Sequence, residues 1–272
     1  MENFVDFHMH TCASDGTWRP KDVIENIKKA EIKCFAVTDH DSMQSVASTK
    51  ELALREGLQF ITGVELSTTF QNREYHLLTY DYELTNAILM ERIEKNHQLR
   101  LDYHQLVVKT LVKDFPQIST EEFALYEYDL SRGGWPSLNY LFDKKVVYNM
   151  NDYFGMMKRY DLQLIFDGPK EIIRDIKAAG AIVILAHPPA YVQEGFMSLE
   201  QMEQWVDFGI QGMECYSPYY KNPEDSGYYV NFCNEKGLFI SGGSDCHGDL
   251  LPNRKLRRPS IKKEQLNLPF LK

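Results

Sequence analysis

The sequence predicts an α/β chain, a distorted (β/α)7 TIM-like barrel with a helical insertion, and three observations carry that expectation. Short apolar runs alternate with helical patterns along most of the 272 residues, and strand, helix, strand in that order implies parallel pairing through right-handed crossovers. Candidate ligand residues follow or end the apolar runs, which is where the C-terminal face of such a barrel gathers its working groups. One stretch, 82–168, breaks the alternation, and its 87 residues far exceed a connecting loop. Setting it aside as a helical lid leaves 185 residues in two pieces, 1–81 and 169–272, short against the ~250 typical of an eight-stranded barrel.

The elements follow in order. Phe4 to His8 reads as a strand, Pro20 to Ala30 as a helix with Val23 and Ile27 four apart, and Lys33 to Thr38 as a strand. Ser48 to Glu56 is helical, and Gln59 to Val64 and Glu74 to Tyr80 are extended. Within the insertion, Leu99, Tyr103 and Leu106 share a helical face, and Ser119 with Glu122 forms a capping box. Lys170 to Ala179 is a helix closed by Gly180, followed by a buried strand from Ala181 to Ala186. Leu199 to Phe208 is a helix ending at Gly209, Gly212 to Tyr216 a strand, Asp225 to Glu235 a helix, and Leu238 to Gly242 the last strand.

Composition narrows the function. At 43% hydrophobic content the chain can bury a full core. Its N-terminus shows no basic start followed by an apolar stretch, and its longest apolar segment, Ala178 to Ala186, falls short of the ~18 residues of a membrane helix, so a soluble, cytoplasmic protein is expected. Five cysteines without a CxxC pair fit reduced thiols. The net charge of −9 argues against binding long nucleic-acid duplexes. From Arg254 onward, however, the chain is strongly basic, a candidate phosphate-facing strip.

Six of the eight histidines stand at the ends of apolar runs: His8, His10, His40, His76, His187 and His247. With Asp15, Glu65 and Asp245 they offer nine metal ligands of mixed imidazole and carboxylate type. In FVDFHMH, a period of two points His8 and His10 the same way. In TDHD, Asp39 or Asp41 is placed to accept the free ring proton of His40. Glu65, after FITGV, can bridge two ions, and His187 is followed by two prolines that stop its strand. In SGGSDCH, Gly242 and Gly243 permit a close backbone approach to the ions beside Asp245 and His247.

HMH with Asp15 and Gly16, then TDHD, Glu65, His76, AHP and SDCH, in this order, resemble the PHP (polymerase and histidinol phosphatase) superfamily over everything except the insertion. The resemblance implies a three-metal site: His8, His10, Glu65 and Asp245 on one ion, Glu65, His76 and His187 on a second, Asp15, His40 and His247 on a third. GMECYSP and the insertion also look like stand-alone PHP phosphoesterases that act on nucleoside bisphosphates and the 5′ ends of short oligonucleotides. Those relatives often carry Gly-Arg-Pro-His in the insertion, whereas this chain has SRGGWP, with Arg132 and no histidine.

The expected function is therefore hydrolysis of a small phosphoester (a nucleotide, nucleoside bisphosphate or short oligonucleotide end) by a hydroxide activated on two to three divalent ions, Mn, Fe or Zn. His187 and Asp245 are candidates for proton transfer. Arg132, Arg257 and Arg258 are candidates for substrate binding. Alternatives are a histidinol-phosphate phosphatase, an amidohydrolase-type C–N bond hydrolase, which commonly bridges its metals through a modified lysine, and a non-catalytic metal-binding module.

Overall fold

The computed structural model describes residues 3–193 and 195–271. Its first half runs β1 (Phe4–Asp6), α1 (Pro20–Lys29), β2 (Ile32–Phe35), α2 (Val46–Arg55), β3 (Gln59–Phe60), β4 (Gly63–Phe70) and β5 (Arg73–Tyr80). The insertion contributes α3 (Ala87–Leu111), α4 (Thr120–Ala124), α5 (Pro136–Asp143) and α6 (Met150–Arg159). The chain then continues through α7 (Pro169–Ala178), β6 (Ile182–Leu185), α8 (Leu199–Phe208), β7 (Gly212–Tyr216), α9 (Ser226–Lys236), β8 (Phe239–Gly242) and β9 (Ile261–Lys262).

These strands form two mixed sheets, in the orders β3-β2-β1-β9 and β4-β5-β6-β7-β8. Neither closes into a barrel, which corrects the (β/α)7 expectation. One reason lies at β9, which pairs antiparallel with Phe4 and Val5 and so occupies the β1 edge that a closing strand needs. The sheets meet at single bridges, Met9 with Cys246 and His40 with Glu65.

A second correction concerns direction: β4 pairs antiparallel with β5, and β5 antiparallel with β6. A parallel pair needs a crossover of a dozen or more residues, and only Gln71 and Asn72 separate β4 from β5. Both have positive φ, +51° and +58°, as a type I′ hairpin turn requires. Val5, Phe7, Val64, Leu66, Leu77 and Ile184 are fully or almost fully buried in the core lined by the two sheets.

The insertion has an apolar cluster of its own, including Val107, Leu111, Leu138, Leu141 and Tyr153. The buried face of α3 differs from the expected one: Leu89, Ile93, Asn96, His104, Val107, Val108 and Leu111 are covered, while Leu106 is exposed. Ser119 does cap α4 by accepting from Glu122 N. The Glu122 carboxylate turns instead to Lys144 and Tyr140. Arg92 of α3, itself buried, binds Asp167, Glu171 and Asp175, and Asn96 donates to Asp41 Oδ1 and Ser67 O, both at 2.8 Å. These contacts seat the helical unit over the C-terminal end of β2 and the middle of β4. No helix among the described residues is long and apolar enough to cross a membrane.

Candidate metal centre

Glu65 stands inside β4, not in a loop after it, and its buried carboxylate is the centre around which the predicted ligands collect. Oε2 lies 3.1 Å from His8 Nε2, 3.2 Å from His10 Nε2 and 3.2 Å from His40 Nδ1. Oε1 lies 3.2 Å from His76 Nδ1 and 3.1 Å from His187 Nε2. Asp245 Oδ1 is 3.4 Å from His8 Nε2 and 3.1 Å from His10 Nε2. Asp15 approaches His247 Nε2 at 3.4 Å and His10 Nδ1 at 3.7 Å. All nine residues are thus brought together, and four overlapping groups of three or four have donor atoms within 4.8 Å of one another.

The donor set fits cations. Nitrogens face nitrogens, His8 Nε2 with His10 Nε2 at 3.2 Å and His76 Nδ1 with His187 Nε2 at 3.3 Å, a convergence of imidazole donors that suits a shared cation. Buried Nδ1 atoms of His10, His40 and His187 have no hydrogen-bond partner, an uncommon condition for buried polar atoms that a metal would relieve. Burial works against ionised Glu65, yet His8, His40 and His76 hold its carboxyl well below the usual range. Burial likewise opposes charge on His10 and His76, but the surrounding carboxylates, Glu65 foremost among the charges acting on His76, raise them to about 9 and about 10. Glu65 and its neighbours therefore concentrate buried negative charge where positive charge is favoured.

Local chain geometry sets these groups. His8 and His10 lie just beyond β1, and a Cβ on Gly16 would meet His10 O at 2.5 Å, so glycine lets the Asp15 loop fold back on them. Gly243 serves a related end: a Cβ there would meet His8 N at 2.4 Å. Its role is the approach of two chain segments, a correction to the expected approach of backbone to ions. His187 and Asp245 adopt positive φ, +27° and +49°, conformations that cost energy outside glycine and concentrate at functional sites.

The carboxylates that orient the site are not the ones the sequence pointed to. Glu214, in the middle of β7, accepts from His8 Nδ1 at 2.9 Å and from His187 N at 2.7 Å. Asp6 Oδ1 accepts from Ser244 N at 2.9 Å, and burial pushes its carboxyl up to about 6. Neither aspartate beside His40 holds that ring. Asp39 accepts from Thr11, Ser14 and Ser45, and Asp41 from Ser67, Asn96 and Arg100. The clue to Glu214 was a carboxylate inside the apolar run GMECY.

A cavity of about 700 Å3 opens from the cluster towards the insertion. The predicted substrate arginines do not line it. Arg132 gives both terminal nitrogens to Asp143, at 3.0 and 2.9 Å. Arg257 stacks on Phe4, 3.5 Å from the ring centroid, at the opposite end of β1, and Arg258 is exposed outside the cavity. Two other arginines take their place. Arg254 Nη1 binds Asp245 Oδ2 at 2.6 Å, and Arg100 of α3 binds Asp41 and Glu74 at 2.6 and 2.8 Å. Tyr219 donates to the same Asp245 oxygen at 2.7 Å.

Fold and site together define a metal-dependent phosphoesterase. The profile of the PHP domain matches residues 6–133, the stretch that carries His8, His10, Asp15, His40, Glu65 and His76. The chain is 25% identical over 252 residues to a 5′-3′ exoribonuclease of Haemophilus influenzae, covering 91% of each chain. It is 24% identical to a 3′,5′-nucleoside bisphosphate phosphatase of Chromobacterium violaceum, covering 89% of this chain and 87% of the relative. A Bifidobacterium adolescentis structure, provisionally assigned as a metal-dependent phosphoesterase, shares the fold with a TM-score of 0.78 at 24% identity, covering 98% of this chain and 93% of its own.

Proposed function

We propose that the protein hydrolyses a nucleotide-sized phosphoester at the Glu65 cluster, with the segment 82–168 serving as a lid over a catalytic unit formed by 1–81 and 169–272. The observation that carries this reading is the splayed coordination of Glu65, whose two oxygens face different sets of imidazoles. The proposed assignment to three ions is His8, His10, Glu65 and Asp245; Glu65, His76 and His187; and Asp15, His40 and His247. Divalent Mn, Fe or Zn bound there would neutralise phosphate charge and make a water acidic enough to ionise near pH 7. The chain's own groups do the rest. Glu214 fixes His8 and His187, Tyr219 and Arg254 hold the outer oxygen of Asp245, and Arg254 faces the cavity where a phosphate oxygen would sit. His187 and Asp245 both line the cavity, which supports them as the groups that pass a proton to the leaving oxygen.

The relatives' names support small phosphorylated substrates and RNA ends. A panel of nucleotides, short oligonucleotides, histidinol phosphate and simple phosphoesters, run with Mn, Fe(II) or Zn, tests the reading by phosphate release or chain shortening. Amide turnover without phosphoester turnover would instead favour a C–N bond hydrolase.

A further inference from the structure

We infer that the lid roofs the metal cluster with a chamber for one planar, largely apolar group, so that the preferred substrates carry a single phosphate and a second phosphate is disfavoured. This rests on the phosphoesterase reading and narrows it. The cavity has two ends. His40, His76, Asp245 and His247 line one. At the other, Trp135, Tyr153 and Phe154 touch one another in two edge contacts and one tilted contact, their centroids 5.7 to 5.9 Å apart, and Met150, Met157 and Leu162 complete the wall. Such a surface offers π faces and apolar area to a flat ring system, and base–aromatic stacking needs no sequence-specific hydrogen bonds.

Charge decides the number of phosphates. Among the described residues lining the cavity, two are arginine and none is lysine. Arg100 is committed to Asp41, Glu74 and Ser67, and its guanidinium lies over Phe166. Arg254 sits on Asp245 and over Tyr219, at the cluster end, where it serves the reacting phosphate. The roof histidine His104 gives Nδ1 to Ser137, which in turn meets Tyr153 OH; burial, with Arg100 and His97 nearby, lowers its pKa to about 3, so it is neutral. Arg132, the arginine of SRGGWP, is turned to Asp143. A second phosphate in the chamber would lose water without gaining a free Arg or Lys, an arrangement that disfavours binding.

Metal-loaded protein is assayed with adenosine 5′-monophosphate, adenosine 3′,5′-bisphosphate and glycerol phosphate, and adenosine binding is measured separately by calorimetry. We expect kcat/KM for the monophosphate to exceed that for either other substrate by about tenfold. Phe154 is half-exposed, so Phe154→Ala should fold; it should raise KM for the monophosphate and weaken adenosine binding about tenfold, the scale of one lost stacking contact, and lower the preference for the monophosphate over glycerol phosphate by the same factor. Equal or better turnover of the bisphosphate, or adenosine binding that is absent or insensitive to Phe154→Ala, overturns the inference. Adenosine binding that is sensitive to Phe154→Ala, with no hydrolysis of any phosphoester, would overturn the phosphoesterase reading and leave the chamber standing.

Discussion

Glu214 holds His8 from behind: its Oε1 accepts from Nδ1 at 2.9 Å, leaving Nε2 turned to Glu65. The same carboxylate accepts from His187 N at 2.7 Å, so one side chain on β7 orients two predicted ligands. Glu214→Gln keeps the shape but removes the charge. It should lower metal affinity or activity by about 10- to 100-fold, with circular dichroism unchanged. Wild-type metal affinity and rate in the variant would show that the two histidines need no such support.

Protein purified without chelator should carry two to three transition-metal ions per chain, because nine donor residues form four overlapping groups of three or four, two of which share Glu65. Metal analysis of the wild type and of the His8→Ala/His10→Ala double variant checks this. The double variant should lose at least one ion. Fewer than one ion per wild-type chain, with none regained on reconstitution, would contradict the proposed centre.

Glu65→Gln and Asp245→Asn each preserve volume while removing buried negative charge. Both should reduce phosphoester hydrolysis below a tenth of wild type at saturating metal. Retention of more than that by a folded variant would remove the residue from the proposed machinery.

Arg132 bonds Asp143 through two nearly equal contacts, 3.0 and 2.9 Å, and is partly exposed. Its replacement by alanine should leave KM and kcat unchanged for every substrate in the panel. The stability change should be small, about 1 kcal/mol or less. A selective rise in KM for substrates with two phosphates would show that the arginine leaves Asp143 to meet them.

His104 is buried in the insertion, and burial, followed by the effects of Arg100 and His97, lowers its pKa from 6.5 to about 3. A histidine depressed in the fold binds protons more readily when unfolded. Its contribution is therefore present above pH 6.5 and is lost as pH falls towards 3, at up to about 1.4 kcal/mol per pH unit. His104→Asn keeps a polar atom near Ser137, and should flatten stability against pH between 6.5 and 4 relative to wild type in denaturant titrations. Parallel profiles would exclude His104 as a source of the acid sensitivity.

The ligand cluster was legible because strand-end histidines in HMH, TDHD, AHP and SDCH are local signals, each readable within a few residues. Glu214 was not, since its partner His8 is 206 positions away and an acid inside an apolar strand has no local explanation. Arg254 and Arg257 stand three residues apart in a segment without helix or strand. Only the turn of the chain sends one to Asp245 and the other to Phe4. The hairpin of β4 and β5 was hidden because both strands read correctly as extended, while direction depends on the two-residue turn between them.

Arg92 joins the incoming chain of the insertion to its outgoing chain at Asp167 and to the helix beyond it. Asp167 O also accepts from Thr69 N at 3.2 Å, at the end of β4. Between these points lies a cassette with its own apolar cluster, fastened by Arg92, Asn96 and Arg100 near one end, by Asp167 at the other, and by Gly134 N to Asp15 O at 2.7 Å between them. Changes of length or composition inside it need not alter the register of β5 and β6, nor the setting of Glu65. The fold thus separates two evolutionary tasks: the sheets keep the chemistry fixed, and the cassette is free to diversify what the chemistry is offered.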